Sequence, residues 1–285
     1  MGNYWSTPLT SKNYRIMSYN VEWGFLKLPD DITHDSGGHT IPKTEEAQRQ
    51  HLRIISKNIG LASPHICFLQ EMGSLEAVQF VADAIFSMFN IKYDVYYSNG
   101  DETGYQGVGL LVHEDISTEC EISNIPDFKL NRALGVILTT NEKTYKLIGV
   151  HLKSLYDGKY TRDVAIQNSE IEAVLEWVGD CENVLFCGDF NNVPTSSPIQ
   201  NVISKKYTNI LDTDKYVENI SGIKATEFSK SKSHPNSVID YMFVTNPDTL
   251  ISSHIIDYQR VATVPNAKYR SENSDHLPIL GVFTL

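Results

Sequence analysis

The sequence predicts one domain of layered α/β fold, on three observations. Short β-rich runs alternate along the chain with longer segments that have helical spacing. Several of the β-rich runs are almost entirely apolar, which indicates strands buried on both faces and covered by helices. Pro and Gly are spread thinly and repeats are absent, so nothing in the 285 residues marks a linker. We therefore expect a flexible N-terminus over residues 1–13 and a single domain over residues 14–285.

The strands and helices are predicted from composition and periodicity. Strands are expected over residues 14–21, 65–70, 93–98, 108–113, 133–139, 145–151, 184–187, 238–244 and 277–283. Helices are expected over residues 44–61, 74–89 and 161–178, with Thr44 and Ser74 suited to cap the first two.

Two polar, Gly-bearing segments, residues 29–43 and 99–106, are predicted loops of the kind that often border a site. The first loop contains His34, Asp35 and His39, which are metal-ligand residue types. Their spacing matches no defined ligand pattern, so it favours a solvated loop.

Charge and cysteine content restrict the function. The chain has 24 basic and 35 acidic residues, and the net charge of −11 disfavours bulk electrostatic capture of duplex nucleic acid. The same imbalance suits a carboxylate-rich site for a divalent cation. The four cysteines are scattered, with no C-x-x-C pair, which indicates reduced thiols in a cytosol-like compartment. With no long apolar run and no secretory pattern, we expect an intracellular protein, cytoplasmic or nuclear and not secreted.

The first six residues fit the M-G-x-x-x-[ST] pattern, which makes Gly2 a candidate for myristoylation. The pattern is short enough to arise by chance. One myristoyl chain would give only weak, reversible membrane association.

Polar residues of catalytic type recur at the ends of apolar strands. A single such residue is usually explained by a cap or a turn, but a series of them is not. The series consists of Asn20, Glu71, His151 and Asp189, followed by Asp240 and the pair Asp275-His276. Loops at strand ends are where an α/β sheet usually carries its site, so these residues are candidates for one site.

The residue types suit phosphate ester chemistry that uses a hard cation. Mg²⁺ prefers oxygen ligands, so Glu71 with help from Asn20 can hold it, and the absence of a Cys/His cluster disfavours zinc. Asp189 and Asn191 are two apart, which places both side chains on one side of an extended segment. A carboxylate such as Asp240 can fix the tautomer of an imidazole such as His276.

Six short motifs, in order along the chain, resemble the endonuclease/exonuclease/phosphatase superfamily, which has the deoxyribonuclease I-like fold. They are Ser18-Tyr19-Asn20-Val21-Glu22-Trp23, Leu69-Gln70-Glu71, Gly149-Val150-His151-Leu152-Lys153-Ser154, Gly188-Asp189-Phe190-Asn191, Ile239-Asp240-Tyr241 and Ser274-Asp275-His276-Leu277-Pro278. Each motif is weak alone, whereas six in order covering nearly the whole chain are strong.

The resemblance implies a four-layer α/β sandwich, with two central mixed sheets flanked by helices and the site at one rim. It also implies a metal-dependent phosphoesterase that uses Mg²⁺, with Mn²⁺ as a substitute. Glu71 would be the main metal ligand, with Asn20 a second ligand or a phosphate contact and Asp275 near the metal.

The remaining roles implied by the resemblance concern the reaction itself. His151 would donate to a non-bridging phosphate oxygen, and Asp189 and Asn191 would position or deprotonate the attacking water. His276, oriented by Asp240, would act as general base or stabilise the transition state. The choice of general base between Asp189 and His276 stays open.

Three further residues are candidates for substrate binding. Many nuclease members place an Arg about three residues before the Gln that follows H-L-x-S, but Arg162 and Gln167 are five apart, which puts a phosphate contact by Arg162 in doubt. Arg132 lies in a segment resembling one that places an Arg near the site, although a solvated Arg explains it equally well. Tyr105 is the third, and is one of four aromatics, with Trp23, Phe25 and Tyr156, expected in loops by the site. Such side chains can stack on the bases of a single strand, although packing is their commoner use.

The compact length, the His151-Leu152-Lys153-Ser154 segment and the missing signal peptide resemble intracellular nucleases or DNA-end-processing members. The expected partner is therefore nucleic acid, single-stranded or at ends rather than plain duplex, and no obligate protein partner is indicated. One alternative is a phospholipid or inositol-phosphate phosphoesterase, which the acidic charge and Gly2 would suit. A second is an inactive binding module on the same fold, which the filled motif positions disfavour.

Overall fold

The computed structural model describes residues 13–27, 44–98, 106–128, 131–140, 143–155, 160–217, 226, 238–256 and 274–285. Gly2, Tyr105 and the loop with His34, Asp35 and His39 lie outside these residues, so the predictions made for them stay predictions. Among the described residues, no helix is long and apolar enough to cross a membrane.

Thirteen strands and four α-helices lie within the described ranges. The strands are β1 (Asn13–Gly24), β2 (Ile66–Met72), β3 (Tyr93–Tyr97), β4 (Gly107–His113), β5 (Cys120–Asn124), β6 (Ala133–Thr140), β7 (Lys143–His151), β8 (Val184–Asp189), β9 (Thr208–Asn209), β10 (Tyr216–Val217), β11 (Asp240–Val244), β12 (Leu250–Ile255) and β13 (Ile279–Thr284). The helices are α1 (Glu45–Ala62), α2 (Leu75–Phe89), α3 (Tyr160–Val178) and α4 (Ser197–Ser204).

The strands form two mixed sheets. The first has seven strands in the order β10-β12-β13-β1-β2-β4-β3, and the second has six in the order β5-β6-β7-β8-β11-β9. Within the first sheet β1 and β2 are parallel, while β1 and β13 are antiparallel. Within the second, β7 and β8 are parallel, while β8 and β11 are antiparallel. The parallel pairs bring the carboxyl ends of β1, β2, β7 and β8 to the site described below.

The hydrophobic core is divided into three clusters that define the layers. Side chains of both sheets, among them Phe68, Val136 and Phe283, pack together in the central cluster. A second cluster joins the other face of the first sheet to α1 and α2, and a third joins the second sheet to α3 and α4. This arrangement of helices, sheet, sheet and helices confirms the expected four-layer α/β sandwich.

The predicted helix caps are present. The Thr44 hydroxyl accepts a hydrogen bond from the Ala47 amide at 3.1 Å, and the Ser74 hydroxyl accepts one from the Ala77 amide at 3.2 Å. Each bond satisfies one of the amides that a helix leaves free in its first turn. Both helices therefore begin where the sequence indicates.

Several elements differ from the predictions. The predicted strands over residues 238–244 and 277–283 begin two residues later, at Asp240 and Ile279. Strands β5, β9, β10 and β12 and helix α4 were not predicted. Strand β5 (Cys-Glu-Ile-Ser-Asn) and strand β12 (Leu-Ile-Ser-Ser-His-Ile) contain several polar residues. They therefore lack the apolar run that made the central strands predictable. Helix α4 has only eight residues, too few for helical periodicity to stand out.

Candidate active site

The polar residues at the strand ends meet at one rim of the sandwich. In the parallel pair of β7 and β8, His151 lies opposite Asp189, and in the antiparallel pair of β8 and β11, Asp189 lies opposite Asp240. Asn20 lies in β1 opposite Gln70, the residue before Glu71 in β2. Asn20, Glu71, His151 and Asp189 are thus strand residues rather than residues of the loops that follow.

Gly188 allows β8 to carry Asp189 close to β7. Its φ of +145° lies in the region that favours glycine, and an added Cβ would be 2.0 Å from the carbonyl oxygen of Val150. Any side chain at this position would push the two strands apart. The glycine therefore permits the close pairing of β7 and β8 that brings Asp189 beside His151.

The Asn20 amide joins the two sheets. Its Nδ2 donates to Glu71 Oε1 at 3.1 Å in the first sheet and to Asp189 Oδ2 at 2.8 Å in the second. Its Oδ1 accepts from the Glu22 amide at 3.0 Å, which fixes this orientation. In this orientation Asn20 positions two carboxylates with its nitrogen, and its proposed role as a metal ligand would need the oxygen to turn toward the cation.

Glu71 lies at a β-bulge and points into the site. The pairing of β2 with β4 shifts register between Leu69 and Met72, and Glu71 has a φ of +64°. A bulge commonly redirects a side chain at an active site. Glu71 Oε2 accepts from the Trp23 amide at 3.1 Å and from Gln106 Nε2 at 3.2 Å. The Glu71 carboxylate therefore accepts hydrogen bonds from three residues, Asn20, Trp23 and Gln106.

His151 lies between two carboxylates. Its Nε2 is 4.0 Å from Glu71 Oε1 and 3.7 Å from Asp189 Oδ2, both longer than a hydrogen bond. Ligand atoms of these three residues lie within 4.8 Å of one another. Two carboxylates and an imidazole form a ligand set that fits a divalent cation, and the imidazole N–H can donate to a phosphate that such a cation would bind.

His276 and Asp240 form the expected pair. His276 Nδ1 lies 2.8 Å from Asp240 Oδ2, and its Nε2 lies 3.9 Å from Asp189 Oδ2. The pair is fixed by Ser274, whose hydroxyl accepts from the His276 amide at 3.0 Å and donates to the Asn20 carbonyl at 2.6 Å. The segment that carries His276 is thereby attached to the strand that carries Asn20.

Asn191 and Asp275 lie beside this cluster. Asp189 Oδ1 accepts from the Asn191 backbone amide at 2.7 Å, and Asn191 Nδ2 donates to the Leu152 carbonyl at 3.1 Å. Asn191 has a φ of +49°, so the chain turns after Asp189 and the expectation of an extended segment here is wrong. Asp275 Oδ1 lies 3.7 Å from His276 Nε2, and its amide donates to Glu22 Oε2 at 3.0 Å.

The pKa values of His151 and His276 are shifted in opposite directions. Burial lowers the pKa of His151 well below its ordinary value, and the charge of Arg132 lowers it further. Burial would also lower the pKa of His276, but the charges of Asp240 and Asp189 outweigh burial and raise it well above its ordinary value. Burial raises the pKa of the Asp189 carboxyl, and the Asp240 carboxylate raises it further. A bound cation would favour the charged forms of these neighbouring carboxylates and so reduce their mutual repulsion.

The structure describes two of the three predicted substrate-binding residues, Arg132 and Arg162. Arg132 is only 5% exposed and its carbonyl accepts from the His151 amide at 2.9 Å, so it lies next to the site rather than in solvent. The Arg162 side chain is 53% exposed and donates to Asp163 Oδ1, at 2.9 Å from its NH2 group. Arg162 thus forms an ion pair within α3, and a phosphate contact by it stays a prediction. Tyr105 lies outside the described residues.

Several residues of the site were not assigned roles from the sequence. Gln106 and Ser274 hold Glu71 and His276, and Gln167 lies behind the strand ends. Glu22 was quoted in the first motif without a role, although its position two residues after Asn20 is a signal of the kind used for Asn191. Gln106 is the last residue of the predicted loop over residues 99–106, and Ser274 was quoted in the sixth motif, so position was the signal in both cases.

One family of known proteins matches most of the chain. A sequence model described as the Endonuclease/Exonuclease/phosphatase family matches residues 17–276. A comparison with curated proteins finds no match.

Solved structures also resemble the chain. TDP2 from D. rerio, complexed with a single-strand DNA product, is 18% identical, with a TM-score of 0.61 over 96% of this chain and 99% of that one. An AP endonuclease from Archaeoglobus fulgidus is 14% identical, with a TM-score of 0.63 over 95% of this chain and 100% of that one. An endonuclease/exonuclease/phosphatase family protein from Leptotrichia buccalis is 14% identical, with a TM-score of 0.65 over 95% and 100% of the respective chains. At these identities the structural matches show the fold.

Proposed function

The chain belongs to the endonuclease/exonuclease/phosphatase family, and from that premise we propose that it is a Mg²⁺-dependent phosphodiesterase acting on nucleic acid. The family is generally hydrolytic on phosphate esters. The proposal concerns this member's activity, its cation and its substrate. We propose a single strand or a strand end as the substrate, rather than plain duplex.

One observation carries the proposal. Glu71, His151, Asp189, Asp240 and His276 come from five separate strands or loops, yet their ligand atoms fall into two adjoining groups that share Asp189. Four of these five side chains are buried, where ionisable groups are rare without a function. A merely structural role does not require acids and imidazoles to converge in this way.

Each residue has a role that its contacts support. Glu71, held by three donors, would be the main cation ligand, and a bound cation would neutralise charge on the phosphoryl oxygens. His151 Nε2, which faces the gap between Glu71 and Asp189, would donate to a non-bridging phosphate oxygen. Asp240 holds the His276 ring by Nδ1 and leaves Nε2 directed toward Asp189. Either Asp189 or His276 would take the proton of the attacking water.

The substrate class is supported by three observations. Two of the similar structures are an AP endonuclease and a TDP2 complexed with a single-strand DNA product. In this chain, Trp23 stacks on Phe25 at 5.9 Å between ring centroids, and the Trp23 amide bonds to Glu71. The Trp23 ring is partly exposed, and on a residue whose main chain contacts Glu71 it would suit stacking on an unpaired base. The net charge of −11 gives little attraction for a long duplex.

The test is a parallel assay of purified protein on single-stranded DNA, RNA, 5′-phosphotyrosyl DNA, duplex DNA, sphingomyelin and phosphoinositides. We expect turnover of a nucleic acid substrate with Mg²⁺ and none with EDTA. Glu71→Gln should lose this activity, and the matched control Glu172→Gln, at an exposed position of α3, should keep it. Turnover of a lipid alone would replace the nucleic acid proposal with the phospholipid alternative. Failure on every substrate would favour an inactive binding module.

A further inference from the structure

Gln167 is a buried amide whose hydrogen-bonding groups all have partners behind the site. It lies in α3 with no exposed surface. Its Nε2 donates to the Lys153 carbonyl at 2.7 Å and to the Phe190 carbonyl at 3.2 Å. Its Oε1 accepts from Asn192 Nδ2 at 2.8 Å. One side chain therefore contacts two segments that are distant in sequence.

Those two segments directly follow the strands that carry catalytic candidates. Lys153 is two residues after His151, the last residue of β7, and Phe190 is the residue after Asp189, the last residue of β8. The segments are also joined to each other, because the Leu152 amide donates to the Asp189 carbonyl at 2.9 Å. Gln167 thus attaches both strand ends to one helix.

The attachment continues on either side of Gln167. One turn along α3, Glu170 Oε2 accepts from the Lys153 amide at 3.0 Å, and Glu170 has no exposed surface. On the other side, the Tyr241 hydroxyl shares its proton between the Asn192 carbonyl at 3.0 Å and the Val238 carbonyl at 2.8 Å, and Tyr241 follows Asp240 in β11. The network therefore extends from α3 to the neighbour of the residue that orients His276.

We propose that Gln167 is a positioning residue, which sets the distance between His151 and Asp189 by holding the segments that follow them. The inference rests on the proposed phosphodiesterase activity and adds a residue that touches none of the reacting atoms. The physical reason is that a buried carbonyl without a donor is costly, so the two segments must shift when the Gln167 amide is removed. A shift of about 1 Å at reacting groups lowers a rate by about a hundredfold.

The test compares three variants of the full chain. Gln167→Met keeps the length of the side chain and removes its hydrogen bonds. Gln167→Glu keeps an acceptor for Asn192 and replaces the donor that faces two carbonyls. Gln200→Met is the matched control, because Gln200 is exposed in α4 and donates a similar bond, 2.8 Å long, to the Pro194 carbonyl.

We expect Gln167→Met and Gln167→Glu to lower kcat by about a hundredfold with KM within about threefold of wild type, because the substrate contacts remain. The rates are measured well below each variant's melting temperature, where a purely structural role would leave kcat unchanged. Gln200→Met should behave as wild type. Amide exchange at Leu152, followed by mass spectrometry, should be about tenfold faster in the Gln167 variants than in Gln200→Met.

The outcomes separate the two proposals. An active wild type with folded Gln167 variants of equal kcat overturns the positioning role and leaves the proposed function intact. An inactive wild type overturns the proposed function and this role with it. If Gln167→Met does not fold, Gln167→Glu decides, since it keeps the size of the side chain and the acceptor for Asn192 and replaces the amide donor that faces the two carbonyls with an ionisable carboxyl oxygen.

Discussion

His276 Nδ1 lies 2.8 Å from Asp240 Oδ2, so this carboxylate determines which nitrogen of the ring faces Asp189. Both side chains are buried, and Asp240 is itself fixed, because its amide donates to the Thr226 hydroxyl at 3.0 Å. An imidazole bound in this way cannot rotate freely, and its Nε2 is directed toward the group it serves.

We expect Asp240→Asn to lower kcat by at least about a hundredfold, because the amide keeps the shape of the carboxylate but neither stabilises a charged His276 nor fixes its tautomer. His276→Ala and Asp189→Ala should lower kcat by at least as much. The measurement is steady-state hydrolysis of the substrate found in the parallel assay. Asp248→Asn, at an exposed position before β12, serves as the control. Activity of Asp240→Asn within a fewfold of wild type would contradict the assigned pairing.

Removal of the Gln106 amide should weaken cation binding. Gln106 Nε2 donates to Glu71 Oε2 at 3.2 Å, and partners of metal ligands typically contribute about 10- to 100-fold in affinity. For Gln106→Leu we expect a Mg²⁺ concentration for half-maximal activity about tenfold higher, with kcat at saturating Mg²⁺ close to wild type. A titration of activity against Mg²⁺ measures both quantities. An unchanged half-maximal concentration would show that the bond does not orient the Glu71 carboxylate.

The glycine before Asp189 should not tolerate a side chain. In Gly188→Ala the new Cβ would lie 2.0 Å from the Val150 carbonyl oxygen, at a φ of +145°. We expect the free energy of unfolding to fall by more than about 2 kcal/mol, since both overpacking and backbone strain oppose the change.

Gly179→Ala is the matched control, because Gly179 also has a positive φ, of +56°, but the nearest atom to its Cβ is 3.9 Å away. That change should cost about 1 kcal/mol, the strain of the backbone alone. Both values come from equilibrium unfolding in denaturant. Equal losses in the two variants would show that the contact with β7 is relieved by a small movement.

His65 should make the free energy of unfolding depend on pH. It lies just before β2, at the opposite end of that strand from Glu71. Its Nδ1 accepts from the Arg15 amide at 2.9 Å, and burial, helped by the charge of Arg15, lowers its pKa from 6.5 to about 4. Between about pH 4 and pH 6.5, His65 is therefore mostly neutral in the folded protein but mostly protonated in the unfolded chain. The contribution of His65 to stability is complete above about pH 6.5 and is lost as the pH falls toward about 4.

In His65→Asn the amide oxygen can still accept from the Arg15 amide but does not titrate. Between the two pH limits, we expect the wild type to lose about 2 kcal/mol more of its unfolding free energy than this variant, after allowance for partial contact with solvent. Denaturant unfolding at a series of pH values measures the difference. Two parallel curves would mean that His65 is protonated without cost in the folded state.

The central strands were predictable because their apolar runs are long and bounded by polar residues. The segment Val-Leu-Phe-Cys-Gly-Asp of β8 is buried along its whole length and has no competing helical period. Strand β12 is different, because Ile251 is exposed and Ser252 partly buried, so its composition is also that of a loop. Its pairing with β13 is a long-range contact, which local composition does not encode.

The members of the site were predictable as strand-end residues, whereas their relative placement was not. Asp189 lies opposite both His151 and Asp240, and this depends on the pairing of β8 with two strands remote in sequence. The direction of the Asn20 amide and the bonds from Gln106 and Ser274 arise from tertiary packing as well. The roles of these residues in catalysis stay predictions until the variants above are measured.

The two hydrogen bonds that Asn20 Nδ2 donates make the activity sensitive to the packing of one sheet on the other. Since this amide bridges Glu71 in one sheet and Asp189 in the other, the reactive geometry depends on how the two sheets are seated against each other. A mild loosening of the sandwich core would separate the two halves of the site while each sheet kept its own backbone pairing. Inactivation should then precede the loss of far-ultraviolet circular dichroism as denaturant is raised.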